Sequence, residues 1–258
     1  MPGNELDVIK YLVLNKPTLK HIGKITKISH PIGDKVITIN SVKDVNEFVK
    51  PDSASKKADI YINNFGISIK QAGGSFAFNR LQRANIVNTF KDIGIHNPEN
   101  HLIKLDNMVD KFHNTKITNR ARPWNECFDE NDFKLLLEFL MMKGSPNKGR
   151  SRHTADYILE APKKITKNGQ ISIFEFNDYF ESYKNNLKIS IRRCWYGQAS
   201  NSEHNRATSL MKKEENLKWV YCNVSGEPKM NKTAHKKWRD DIEVYNRKTV
   251  YFLMIEHT

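Results

Sequence analysis

The stretch Lys57-Ala58-Asp59-Ile60-Tyr61-Ile62-Asn63-Asn64-Phe65-Gly66-Ile67-Ser68-Ile69-Lys70-Gln71 decides how this chain folds. Two short alternating runs flank Asn63-Asn64-Phe65-Gly66, a composition that suits a tight turn, so the segment predicts a β-hairpin. Alternate side chains of a strand share a face. Asp59 and Tyr61 therefore point one way, and Ile60 and Ile62 the other. In the second run Ser68 and Lys70 share one face, with Ile67 and Ile69 on the opposite one. An acid and a lysine converge on the polar side. A plain surface hairpin with its Asp, Ser and Lys toward solvent fits the same residues.

An acid on one strand and a residue-x-lysine on the next resembles the core of the PD-(D/E)XK nucleases, here as Ala58-Asp59 followed by Ser68-Ile69-Lys70. The resemblance implies a restriction-endonuclease-like core, an α/β fold with a central mixed β-sheet flanked by helices. It also implies a type II site-specific deoxyribonuclease, cutting double-stranded DNA at a specific sequence with Mg²⁺. On that reading Asp59, Ser68, Lys70 and Gln71 are the catalytic group. Phosphodiester hydrolysis needs a divalent cation to neutralise the phosphate and lower the pKa of the attacking water, and a carboxylate such as Asp59 can hold it. Lys70 would position that water or help deprotonate it. Two departures stand out: Ala58 replaces the proline before the acid, and Ser68, a far weaker ligand, replaces the second acid. The backbone carbonyl of Ile69 and waters would complete the shell of a single cation, with an acid from the preceding segment, Glu47 or Asp44. The literal Pro51-Asp52 is a rival acidic element, but Ser53, Ala54 and Ser55 place it in a loop.

Outward from the hairpin, Gly73-Gly74-Ser75 interrupts the alternation, and Ala77, Leu81, Ala84 and Val87 repeat at helical spacing. The expectation is a helix capped by Ser75 and running to Phe90, with Asn79, Arg80, Gln82 and Arg83 exposed to reach phosphates or bases. A merely solvated polar face gives the same pattern. Helices are expected over Asp132–Met142 and Asp178–Asn186, and strands over Lys188–Arg193 and Thr249–Ile255. Neither a strict βαβ rhythm nor a glycine-rich nucleotide fingerprint is present, which sets aside Rossmann and P-loop folds.

The 42 Lys and Arg against 29 Asp and Glu leave a formal charge of +13 on 258 residues. This favours a polyanionic partner. The loop around Arg150 and Arg152 suits phosphate contact, which gives affinity without sequence information. Arg192, Arg193, Gln198, Asn201, Glu203, His204 and Arg206 mix the donors and acceptors used in base readout; packing of Trp195 and Tyr196 in the core is the alternative for that segment. The organisation expected is one nuclease domain over 1–258, with DNA-recognition segments inserted around 143–170 and 190–215.

No apolar run approaches the ~20 residues that span a bilayer, and Met1 to Asp7 lacks a leader pattern. Cys127, Cys194 and Cys222 match neither a disulfide framework nor a zinc site. A cytoplasmic, prokaryotic protein without membrane partners is expected. Cutting both strands favours a homodimer whose two-fold axis matches a palindrome. The restriction reading also implies a matching DNA methyltransferase in the same host.

Four rivals remain. An HNH-type nuclease could draw on His96-Asn97, His204-Asn205 and His235, but these lack the compact ββα spacing. Asp156, Glu160 and Lys163 offer two acids and a lysine, at the wrong spacing and with Pro162 between. A non-catalytic DNA- or RNA-binding protein needs only the charge and the aromatics, and a repair nuclease shares the chemistry. Metal dependence separates cutting from binding.

Overall fold

The structure, a computed structural model, describes residues 4–49, 56–73, 77–113, 119–146, 149–195, 205, 209, 221–222 and 248–257. In chain order the first elements are α1 (Glu5–Asn15), β1 (Thr18–Leu19), β2 (Gly23–Lys24), β3 (Ile28–Ile32), β4 (Lys35–Thr38), α2 (Val42–Phe48), β5 (Ile60–Ile62) and β6 (Phe65–Gln71). Next come β7 (Ala77–Gln82), α3 (Arg83–Ile93), α4 (Pro98–His113), β8 (Ala121–Pro123), α5 (Glu130–Glu138), β9 (Gly144–Ser145) and β10 (Gly149–Arg150). The last are β11 (Tyr157–Ala161), β12 (Ser172–Phe174), α6 (Phe176–Tyr183), β13 (Leu187–Trp195), β14 (Tyr221–Cys222) and β15 (Lys248–His257). By contacts the chain divides into two compact units, residues 1–76, 134–186 and 257–258 in one and 77–133 and 187–256 in the other.

The first unit holds a six-stranded sheet of order β12-β11-β6-β5-β3-β4. The expected hairpin is its centre. Ile62 pairs with Phe65, leaving Asn63 and Asn64 as a two-residue loop. Their φ values of 50° and 75° are the consecutive left-handed pair that such a loop needs, and asparagine tolerates it best after glycine. β11 runs parallel to β6, while β3 and β12 pair antiparallel with their neighbours, so the sheet is mixed.

Alternation then sorts the faces. Ile60, Ile62, Ile67, Ile69, Leu159 and Ala161 join Val8, Ile9, Leu12 and Val13 of α1 and Val45 of α2 in one buried cluster. Residues 8, 9, 12 and 13 form one stripe of α1, and Lys16 in a left-handed conformation ends that helix just before Pro17. On the opposite face Glu160 accepts a hydrogen bond from Tyr183 of α6 at 2.6 Å. Helices thus flank the sheet, the α/β arrangement with a central mixed sheet that the sequence implies.

Gly66 fixes how β11 approaches β6. A Cβ there would lie 2.2 Å from the Thr154 carbonyl oxygen. That space is used instead by two bonds, Asp156 N–H to the Gly66 carbonyl at 2.7 Å and Gly66 N–H to Asp156 Oδ2 at 2.7 Å.

The second unit carries a five-stranded sheet of order β14-β15-β13-β8, with β7 also pairing along β15. Here one expectation is corrected. The residues from Ala77 to Gln82 form a strand, and the helix starts only at Arg83. Leu81 pairs with Leu253 and Gln82 with Phe252, so Asn79, Arg80 and Gln82 lie on a strand rather than on a helix face. A distant strand supplies the ladder, and non-local pairing outweighs a short helical spacing. The other expected elements are present within a few residues. The helix expected over Asp132–Met142 is α5, continued as a π-helical turn over Phe139–Lys143.

Candidate active site

Asp59 stands at the entry to β5 and is held at three points. Its N–H donates to the Ile67 carbonyl at 2.8 Å, its Oδ2 accepts the Ile69 N–H at 2.7 Å, and its own carbonyl accepts His30 Nδ1–H at 3.0 Å. The carboxylate is therefore fixed by the neighbouring strand, not by a flexible rotamer. Burial raises its pKa above the ordinary value, against the charge of Lys70, the Ile69 N–H and the charges of Lys56 and Lys57.

Lys70 lies on β6, beside that carboxylate. Its Nζ donates to Ser68 Oγ at 2.8 Å and to the Ile69 carbonyl at 3.2 Å. Ser68 is buried, and its hydroxyl oxygen serves the lysine. Ile69 buries its side chain in the core and offers the site only its peptide groups. Gln71 is half-buried at the end of β6, in register with Ala161. The hairpin thus brings together Asp59, Ser68, Ile69 and Lys70.

A second carboxyl that feels the charge of Asp59 is Glu5, in the first turn of α1. Burial raises its pKa, and the negative charge of Asp59 raises it further, while Lys70 and Lys56 pull it down. Glu5 and Asp59 are thus two partly buried carboxyls whose charges oppose each other. The sequence points to Glu47 or Asp44 for an acid that completes the shell. Glu47 is exposed on α2, and Asp44 closes the capping box of that helix, accepting the N–H groups of Asn40 at 2.8 Å and Ser41 at 3.1 Å. Only the apolar stripe of residues 8, 9, 12 and 13, which makes Glu5 the first turn of a helix, could have pointed to it.

A further lysine completes the surroundings. Lys57 is 8% exposed, and its Nζ donates to the Leu140 carbonyl at 2.7 Å. Burial, then the charge of Lys70, pushes its pKa down to about 8, against the attraction of Asp59.

The basic loop is bound to the same place. The His153 carbonyl accepts the N–H groups of Lys57 at 2.9 Å and Ala58 at 3.0 Å, and its Nδ1 accepts the Tyr61 hydroxyl at 2.9 Å. Arg150 is exposed on β10, and exposed Arg152 pairs with Asp34. Both arginines therefore sit on a segment bonded to the backbone that precedes Asp59.

The remaining candidates are placed less favourably or lie elsewhere. Arg83 spends its guanidinium on Asp106 in a buried bidentate pair, with Nε–H···O 2.9 Å and Nη2–H···O 2.8 Å. Arg192 and Arg193 belong to β13, but their side chains, like those of Asn79 and Arg80, lie outside the described residues. So do Gln198, Asn201, Glu203, His204, Arg206, His235 and the rival Pro51-Asp52. Of the decoy trio, Asp156 serves Gly66, Glu160 serves Tyr183, and Lys163 is exposed.

In the second unit, His101, Asp129 and Asp132 form a group that could hold a metal ion, with ligand atoms within 4.8 Å of one another. The sequence reading passed over all three. Their hydrogen bonds also explain one another. Asp129 caps α5 by accepting Asp132 N–H at 2.9 Å, and His101 spans from the Cys127 carbonyl at 2.7 Å to Asp132 Oδ2 at 2.8 Å. Among the described residues no helix is long and apolar enough to cross a membrane.

No family model matches this chain, and no curated protein matches it. A solved structure does, the crystal structure of restriction endonuclease MspI in complex with its cognate DNA. It matches over 98% of this chain and 78% of that chain, at 10% identity and a TM-score of 0.31. An overlay this loose assigns no residue of the site, which stands on the geometry of Asp59, Ser68, Ile69 and Lys70 alone.

Proposed function

We propose that this chain is a Mg²⁺-dependent endonuclease of double-stranded DNA, a type II restriction enzyme of the PD-(D/E)XK kind. The observation that carries the proposal is a half-buried Asp59 anchored by the Ile69 N–H, with Lys70 on the adjacent strand held by Ser68 Oγ and a Glu5 carboxyl that feels the charge of both. Ser68 in place of an acid leaves the usual donor set short by one, and Glu5 fills it from a different element.

On this reading Asp59, Glu5 and the Ile69 carbonyl hold the cation. Once bound, the cation supplies charge neutralisation at the phosphate and a lowered pKa for water. Lys70 is aimed by Ser68 Oγ and the Ile69 carbonyl, and its ammonium holds the attacking water or a phosphate oxygen in line. Gln71 stands beside it at the strand end. Arg150 and Arg152 contact the DNA backbone and, through the His153 carbonyl, tie that contact to the start of β5.

Base contacts are assigned to Asn79, Arg80 and Gln82 on β7, to Arg192 and Arg193 on β13, and to Gln198, Asn201, Glu203, His204 and Arg206. A formal charge of +13 supports a polyanionic partner. A homodimer acting on a palindrome in a prokaryotic cytoplasm, protected by a cognate methyltransferase, completes the proposal.

The test is incubation of the purified protein with plasmid and unmethylated phage DNA, with and without Mg²⁺, beside a Lys70→Ala variant. Discrete fragments that require Mg²⁺ and vanish in the variant are expected. Binding without cleavage of any DNA would overturn the proposal and leave a binding module. Cleavage that survives Lys70→Ala would point to another nuclease chemistry.

A further inference from the structure

The second unit holds a cluster that the proposed nuclease chemistry does not use. His101 on α4 is 4% exposed and Asp132, in the first turn of α5, is 2% exposed. Asp129, at the cap of α5, and His96, in the turn before α4, are open to solvent. One ligand atom from each of His101, Asp129 and Asp132 lies within 4.8 Å of the others. His96 donates its N–H to Asp132 Oδ1 at 3.2 Å and brings its Nδ1 to 3.6 Å from the same oxygen. Two imidazoles and two carboxylates thus gather around Asp132.

The tautomer of His101 adds a separate requirement. Its Nδ1 is 2.7 Å from the Cys127 carbonyl oxygen, which can only accept, so Nδ1 carries the hydrogen. Nε2 of the neutral ring is then a bare lone pair, and it faces Asp132 Oδ2, which also offers only lone pairs, at 2.8 Å. Two acceptors this close repel each other unless a proton or a metal ion joins them. The ring is held in that plane by Phe128, stacked on it with centroids 4.7 Å apart. A backbone carbonyl that takes the far N–H of a buried imidazole is the usual support of a metal-ligating histidine.

We propose that His96, His101, Asp129 and Asp132 form a binding site for a transition-metal dication of the Zn²⁺ class, which clips α4 to the start of α5. Imidazole nitrogen beside carboxylate oxygen suits Zn²⁺ better than Mg²⁺, which takes oxygen ligands and keeps its water. Opposed ligands at about 2.1 Å from an ion span about 4.2 Å, so the 4.8 Å group must close by roughly half an ångström. His101 and Asp132 are the fixed half, and the exposed Asp129 and His96 supply the movement and the path of entry.

The inference is independent of the nuclease reading, and its test uses the full chain without DNA. Zn²⁺ is titrated calorimetrically into metal-stripped protein in excess Mg²⁺, which occupies all-oxygen sites; melting is followed with and without Zn²⁺, and Co²⁺ serves as the spectroscopic probe. The proteins compared are wild type, Asp129→Asn, His96→Gln and Asp59→Asn. Asparagine keeps the cap of α5 while removing the charge, and the His96 side chain is 87% exposed, so both site variants should fold.

Wild type should bind Zn²⁺ and melt higher with it. Asp129→Asn and His96→Gln should each bind at least about tenfold more weakly and lose most of the gain in melting temperature. Asp59→Asn should match wild type, and Co²⁺ should give visible d–d bands without thiolate charge-transfer absorption. Absence of Zn²⁺ binding would overturn the inference and leave a proton alone between His101 and Asp132. Unchanged affinity in Asp129→Asn or in His96→Gln would also overturn it. Loss of binding in Asp59→Asn, or thiolate absorption with Co²⁺, would overturn it by placing the ion elsewhere.

Discussion

Replacing Lys57 by methionine keeps the length of a buried side chain and removes its charge, and the consequence for stability can be worked out. The ammonium is 8% exposed and donates to the Leu140 carbonyl. Burial, then the charge of Lys70, lowers its pKa from 10.5 to about 8. Between those values the unfolded chain binds more protons than the folded one, so stability due to this group rises with pH across the window. The full shift corresponds to about 3 kcal/mol, of which about 1.3 kcal/mol is realised between pH 7 and pH 9. Cys127 and Tyr183 act in the opposite sense at high pH, since burial pushes both up to about 12. They do so equally in both proteins. Urea denaturation of wild type and Lys57→Met at pH 7, 8 and 9, followed by tryptophan fluorescence, therefore isolates Lys57. The variant's stability relative to wild type should fall by about 1.3 kcal/mol across that range. A difference between the two that does not change with pH would refute the assignment of a buried, high-energy ammonium beside the site.

Three other substitutions test the framework. Asp59→Asn removes a carboxyl whose pKa burial raises above 3.8, so wild-type stability falls as pH rises through that range; the variant should melt higher at neutral pH and lose the advantage near pH 4, and an equal or lower melting temperature at neutral pH would contradict this. Gly66→Ala places a Cβ 2.2 Å from the Thr154 carbonyl oxygen, and a loss of about 3 kcal/mol in denaturation is expected; a loss below about 0.5 kcal/mol would show that the strands separate freely. Arg83→Met removes the bidentate partner of Asp106 in the α3–α4 interface and should cost about 3 kcal/mol, much of it restored in the Arg83→Met/Asp106→Leu double variant; failure of restoration would show that the pair's charges are not what matters.

The sequence is legible where structure is local. Period-two alternation around Asn63-Asn64 specifies the hairpin, and with it the shared face of Ser68 and Lys70, because strand geometry and turn chemistry act within about fifteen residues. It misleads where the partner is remote. Ala77, Leu81 and Ala84 fit a helical stripe as well as a strand, and only the pairing of β7 with β15, some 170 residues on, decides between them. Glu5 was hidden for the same reason: no spacing links the first turn of α1 to Asp59 until the helix packs over the sheet. Ser68 can be read as a missing acid, but the spacing names no acid outside the hairpin's own neighbourhood. Nothing in the spacing marks Lys57 as buried, since its burial under the Leu140 carbonyl depends on the π-helical turn at Phe139–Lys143.

The most direct test of the central claim is single-turnover cleavage of duplex DNA by wild type and Asp59→Asn across a Mg²⁺ titration, with DNA binding measured in parallel. The account predicts Mg²⁺-dependent strand cleavage by wild type, and a variant that binds DNA as well or better yet cuts at least about a hundredfold more slowly at every Mg²⁺ concentration. Cleavage by Asp59→Asn at the wild-type rate would contradict it, as would wild-type cleavage indifferent to Mg²⁺.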